Sequence, residues 1–331
     1  MKKSNFYIYN QPFLNPLLRG LRESGASLER LTSKSNIKMF NYESLDAYLP
    51  MSIVYEFFKN IKGDQVVNNM AAAFYKDFEI SDLGEYGKFL TECPDLLTVL
   101  LEGIKNNYLF QTNSIMNLEV LGATARFTNI HLESESEESR IAERIELAMI
   151  LNAFWMILGK DWIPLKIEIK DDTAEWLDDI LPVDKINIQR KSPYYALVFE
   201  TERLLQKNKS KTKELIPLSS FPTNLTDKIY HLLFSFKDGN IPMLSDFSNF
   251  FNVSERTLIR CLHTEGTKYS SLVQRCLFSK SLKLLSNNNL TVLETSQKLG
   301  YSNAPNFIRA FKKWTNTSPN AYRLQKFHLV L

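Results

Sequence analysis

The chain has 331 residues, 44% of them hydrophobic and 12% aromatic, enough for about two packed domains, which excludes a disordered polypeptide. Charge interrupts every apolar run before it reaches a membrane span, and the opening MKKSNFYIYNQPFLNPLLRG lacks the apolar core and cleavage site of a secretory leader. A cytoplasmic protein with no membrane partner is therefore expected. Three scattered cysteines (Cys93, Cys261, Cys276) and four separated histidines (His131, His231, His263, His328) give neither a disulfide framework nor a sequence-local zinc site, so no metal or cofactor is expected.

In chain order, residues 43–61, 68–78 and 94–108 carry helical periodicity, and EVLGATARFTNI (119–130) alternates like a strand. The acidic run Glu133, Glu135, Glu137 and Glu138 reads as a solvated loop entering a helix N-terminus, where negative charge is favourable. The next segment, 138–159, reads as a long amphipathic helix. Its Ile150, Phe154 and Trp155 exceed what one core is expected to cover, which points to a homodimer contact. Arg140 and Arg144 have the spacing of a phosphate clamp, but the companion DxSxxG element is missing, and ion pairing with Glu137, Glu138 or Glu143 explains them more simply. Strand-like PLKIEIK (164–170), helical TAEWLDDIL (173–181), and strand-like KINIQ (185–189) and YYALVFE (194–200) follow. The expected fold class is α+β, a helical lobe followed by a small mixed sheet. Eleven glycines in the chain are too few for a turn-rich cupin barrel.

Residues 207–224, KNKSKTKELIPLSSFPTN, break the apolar periodicity with Lys, Ser, Thr, Asn and Pro, the composition of a linker. The expected organisation is a 1–206 domain, a 207–222 linker and a 223–331 domain. Residues 223–331 hold 14 Lys and Arg against 6 Asp and Glu, a net of +8; the remainder holds 26 against 31, a net of −5. A basic segment of this kind suits phosphate neutralisation, although charge alone does not establish it.

Two similar units lie in the basic segment. In the first, Leu244, Phe247 and Phe251 form an apolar face, Asn252 and Val253 a turn, and Ser254 the N-cap of a helix built on Leu258 and Leu262. In the second, Val292, Leu293 and Leu299 face inward, Gly300 provides a C-cap, and Ser302 or Asn303 caps a helix carrying Phe307 and Phe311. Polar residues at spacings of three and four, Arg256 and Arg260 in one and Asn306, Arg309 and Lys313 in the other, line the outer side of each second helix. A long helix from Lys268 to Leu285 is expected to hold the two units apart. An all-α tandem helix-turn-helix domain results, with Lys268, Lys280, Lys283, Lys312, Lys313 and Arg323 placed to meet phosphates.

The stretches VSERTLIRCLHTEGTKY and LGYSNAPNFIRAFKKWTNTSPNAYR resemble the AraC/XylS family of transcription regulators, with Gly300, Phe307, Arg309, Phe311, Trp314, Ser318, Pro319 and Arg323 in the family's order. The resemblance covers about 100 residues. It implies double-stranded DNA as the partner, base reading at Arg256, Ile259 and Arg260 and at Ala304, Pro305, Asn306 and Arg309, and further contact by Ser254, Thr257, Ser302, Asn303 and Lys313. The sequence departs from the family at Ser248 and Ser296, where alanine is usual, at Thr295, where isoleucine is usual, and at Leu277 and Ser281. Small hydroxyl residues fit tight helix crossings, so the fold is expected to survive. Ala304 and Pro305 offer no donors, so the second unit is expected to read few bases directly.

The N-terminal segment order, including LGEYGKFL and GKDWIPLKIEI, resembles the arabinose-binding-like domain of an AraC subgroup. That resemblance implies an effector-binding and dimerisation domain, a homodimer, and RNA polymerase as a partner of an activator. The alternative is an N-terminal domain that binds a protein in place of a small molecule. No dinucleotide, Walker, GxSxG or HExxH motif occurs. An enzyme fused to the same module, of the alkyl-transfer repair kind, would need a cysteine cluster, whereas Cys93 stands alone before residue 222. The chain is read as a non-enzyme.

Overall fold

Among the described residues of the first hundred, two short strands and several helices are punctuated by prolines and caps. In the computed structural model, which describes residues 6–44, 47–61, 78–109, 111–132, 136–178, 180–209, 222–287 and 289–327, β1 (Ile8–Asn10) pairs antiparallel with β2 (Tyr48–Pro50). Residues 48–50 are thus strand, where helical periodicity had suggested one helix over 43–61. Pro50 disfavours the helical conformation at Leu49, and the helix starts only at Met51. Helices α1 (Asn15–Glu23), α2 (Leu28–Ser33), α3 (Met51–Ile61), α4 (Gly84–Thr91) and α5 (Leu96–Asn106) make the helical lobe. The expected helix over 68–78 lies almost wholly outside the described residues, as do Glu133, Glu135, His328 and most of the linker.

The segment read as a single strand near 119–130 is part of a hairpin. β3 (Ser114–Leu121) and β4 (Thr124–His131) are joined through Gly122, whose φ of +70° suits a two-residue turn. With β5 (Lys166–Glu168), β6 (Asn187–Gln189) and β7 (Tyr195–Glu200) they form a mixed sheet in the order β3-β4-β7-β5-β6, in which only β5 and β6 run parallel. The segment 173–181 forms one 3-10 turn at Glu175–Leu177 and no α-helix among its described residues.

Helix α6 (Glu137–Leu158) is capped by Ser136, whose hydroxyl accepts from the Ser139 amide at 3.0 Å. It is buried on nearly every side over its second half, with Phe154 packed against Trp162 and Phe199. Ile150, Phe154 and Trp155 are all covered within the fold, so the apolar excess expected to drive dimerisation does not exist. Arg144 pairs with Asp171 across the sequence, and the Tyr195 hydroxyl donates to the same carboxylate at 2.6 Å.

Chain contacts divide the molecule into two compact units, one of Tyr7–Lys38 and Glu43–Phe221, the other of Met1–Phe6, Met39–Tyr42 and Pro222–Leu331. The short segment at 39–42 joins the second unit through Phe40, whose ring meets Phe236 at 4.2 Å, and through the Asn41 amide, which donates to the Ser235 carbonyl at 2.7 Å. That second unit is helical: α7 (Leu225–Ser235), α8 (Leu244–Phe250), α9 (Glu255–Thr264), α10 (Tyr269–Leu285), α11 (Val292–Lys298), α12 (Ala304–Thr315) and α13 (Pro319–Phe327).

Candidate nucleic-acid interface

Helices α8 and α9 meet through a turn at Asn252, whose φ of +50° is a left-handed conformation that asparagine tolerates better than most residues. Ser254 caps α9, its hydroxyl accepting from the Thr257 amide at 3.2 Å and lying 2.9 Å from the Thr257 hydroxyl. Leu258 and Leu262 are buried, which turns Arg256, Ile259 and Arg260 outward. Neither arginine side chain has a partner among the described residues.

Helix α10, 17 residues and about 26 Å long, leads from the first pair to the second. In the second pair, Gly300 has a φ of +78°, and a Cβ there would stand 2.9 Å from the Gly239 carbonyl oxygen, so both backbone angle and space require glycine. Asn303, and not Ser302, caps α12, accepting from the Asn306 amide at 2.9 Å. The buried cluster of Leu285, Leu299, Phe307 and Phe311, with Trp314 packed against it, fixes which side of α12 faces solvent. Pro305, Arg309, Lys312 and Lys313 are exposed there, with Ala304 and Asn306 half-buried. The Asn306 side chain is occupied at both ends: its amide donates to the Ser302 hydroxyl at 2.9 Å, and its carbonyl accepts from Arg309.

Residues 247–325 match the model of a family described as "Helix-turn-helix domain". An uncharacterized HTH-type transcriptional regulator of Mycobacterium tuberculosis is 35% identical over 88 residues, 26% of this chain and 26% of that protein. The ornithine utilization regulator of Pseudomonas aeruginosa is 31% identical over 99 residues, 30% of this chain and 29% of that one. The chain thus spans between a quarter and a third of the length of these curated relatives. The crystal structure of the transcriptional regulator CdpR from Pseudomonas aeruginosa aligns over 94% of this chain and 98% of its own, at 17% identity and a TM-score of 0.43.

The C-terminal region carries an AraC-type helix-turn-helix domain. Within it, the hydroxyl residues that replace the usual small or apolar ones close their bonds on their own helices: Ser248 to Ser245, Ser281 to Phe278, Ser296 to Leu293 and Thr295 to Thr291, at 2.6–2.9 Å. Ser281, Thr295 and Ser296 are fully buried, so each acts as a compact side chain whose polarity is satisfied locally.

Three expectations for the AraC-type domain need correction. Leu293 is 52% exposed, because the buried side of α11 runs through Thr295, Ser296 and Leu299. Lys280 is turned inward, donating to the Phe236 carbonyl at 2.8 Å with its charge over the Phe234 ring, and burial lowers its pKa. Arg323 donates to the carbonyls of Leu285 at 3.1 Å and Leu290 at 2.7 Å, tying the end of α10 to the following loop. These two cations brace the fold. Lys268, Lys283, Lys312 and Lys313 remain at the surface.

Sequence reasoning also missed a buried ionic cluster in the other unit. Asn129 and His131 of β4 both meet Glu146 Oε2, at 2.6 and 2.7 Å, and Lys170 donates to Glu143 at 3.0 Å. Glu146 borders the mostly apolar stretch 147–158 on the face that turns inward, and that placement was the available signal.

Proposed function

We propose that this protein is a sequence-specific transcription regulator that binds double-stranded DNA with both recognition helices, α9 and α12, and responds to an effector through its N-terminal unit. One observation carries the reading: both helices of the AraC-type domain are capped, bury one apolar face and expose a cationic one, with Arg256 and Arg260 unpartnered. Guanidinium forks match the O6 and N7 acceptors of guanine in the major groove, while surface lysines meet phosphates. A genome-wide binding map in the host, followed by gel shift on the enriched fragments, tests it; no enrichment, or equal affinity for enriched and random fragments, would refute it.

Activation by recruitment of RNA polymerase, in the cytoplasm, follows from the same reading. A homodimer is part of it as well, on a surface other than α6. Strand β3 is an outer strand of its sheet and exposes Ile115 and Leu121 on one face and Val120 on the other, an apolar edge that we propose pairs with a second copy. Sedimentation of the full chain should give a dimer that Val120→Lys converts to a monomer.

A further inference from the structure

We propose that the N-terminal unit binds a compact aliphatic amine in a cavity against α6, with Glu146 as the anchor. The cavity is about 60 Å3, against about 10–15 Å3 for a single water, which leaves room for a molecule of roughly five to seven heavy atoms. Glu146, Met149, Ile150 and Ala153 line it from one face of α6, at the three- and four-residue spacing of a helix side. Aromatic and aliphatic side chains from α4, α5, β3, β4 and the 3-10 turns Gln11–Leu14 and Ile80–Leu83 close the rest, among them Tyr86, Met116 and Phe127.

Glu146 is the one carboxylate in this lining and is 2% exposed. Its Oε2 is taken by Asn129 and His131, but its Oε1 is buried with no hydrogen-bond partner in the protein. A buried acceptor left in this way favours a ligand that brings a donor, and a charged donor most of all. The unpaired oxygen belongs to a carboxylate with a second carboxylate, Glu143, on the same helix beside it, so an ammonium donor is attracted there and a carboxylate ligand is repelled. Apolar walls then select a short hydrocarbon body.

This inference rests on the effector-responsive reading above, but binding is measured without DNA, so the two can fail separately. Calorimetric titration of the full chain with 3-methylbutylamine, 3-methylbutan-1-ol and 3-methylbutanoate should show the amine binding one to one, the alcohol at least 10-fold weaker, and the acid not at all. Glu146→Gln should weaken the amine at least 10-fold and leave the alcohol unchanged. Ala153→Leu keeps the ionic cluster and fills the cavity, so it should abolish binding of both without lowering the melting temperature. Amine affinity that survives either substitution, acid binding as tight as amine binding, or no amine binding by a chain that still binds DNA would overturn the site. Amine binding that leaves DNA affinity unchanged would keep the site and remove its role as effector.

Discussion

The two recognition helices share a plan and differ in what they hold ready. On α9, Arg256 and Arg260 stand four residues apart with free guanidinium groups, behind a serine cap that keeps its own bonds local. On α12, the chain from Ser302 through Asn306 to Arg309 is already hydrogen-bonded within the helix, and Ala304 and Pro305 add no donors. A side chain that must leave an internal partner before meeting a base gains less from the exchange. Under the proposed function, the difference places discrimination in the first unit and anchoring in the second.

The largest expected effect separates the two turns. Gly300→Val combines a left-handed backbone with a Cβ pressed against the Gly239 carbonyl, and should cost about 2–5 kcal/mol. Asn252→Ala meets only the backbone term, about 1–2 kcal/mol. Hydrogen exchange over Ala304–Thr315 and over Glu255–Thr264 reads both; equal losses would show that the turns are equivalent.

Next come the reading residues. Arg256→Ala or Arg260→Ala should weaken an enriched DNA site by ~10-fold or more, from roughly 1 to 3 kcal/mol per guanine contact, while sparing random DNA. Arg309→Ala should show a smaller selective loss. Fluorescence anisotropy on both DNAs decides; a larger selective loss at Arg309 would invert the comparison.

Salt dependence sharpens it at a finer scale. Lys313→Ala should lower the slope of log affinity against log salt by ~0.9, the share of one phosphate, and weaken all sequences alike. Lys280→Ala should leave that slope unchanged and lower stability, because its ammonium group serves the Phe236 carbonyl. A reduced slope for the Lys280 variant would return it to the phosphate face.

The contrast extends to the two units through their histidines, with the smallest effect. Burial disfavours the charged His131 imidazole, yet Glu146 and Glu143 outweigh it and raise its pKa. It therefore holds its proton more tightly when folded, and the stability it contributes is complete below about 6.5 and is lost as pH rises through the folded value. His231 is shifted down, first by burial, so the α7 region gains stability as pH rises from that lowered value towards about 6.5, below the window of His131. Hydrogen exchange followed from pH 5.5 to 7.5 should show opposite trends near β4 and α7, with His131→Gln flattening the first.

Much of the second unit was legible because local chemistry decides it. Caps at Ser254 and Asn303, the left-handed backbone at Gly300 and the apolar spacing of Leu258, Leu262, Phe307 and Phe311 each act within a few residues. What escaped depends on distant partners. Lys280 and Arg323 look like surface cations until the carbonyls of Phe236, Leu285 and Leu290 are placed beside them. Helix α6 reads as amphipathic, with an apolar surplus, until the sheet and the helical lobe enclose it, and nothing local to Glu146 shows that it lines a cavity with one oxygen left unpaired. Tyr48–Pro50 carries helical spacing but pairs with a strand 40 residues earlier.

Selection of bound sequences from a random double-stranded DNA pool, run side by side with the unaltered chain and with Arg256→Ala and Arg260→Ala, tests the central claim most directly. The account predicts an enriched motif whose guanine positions lose information in each arginine variant, while the positions contacted by α12 persist. No enriched motif from the unaltered chain, or an unchanged motif from both variants, would contradict it.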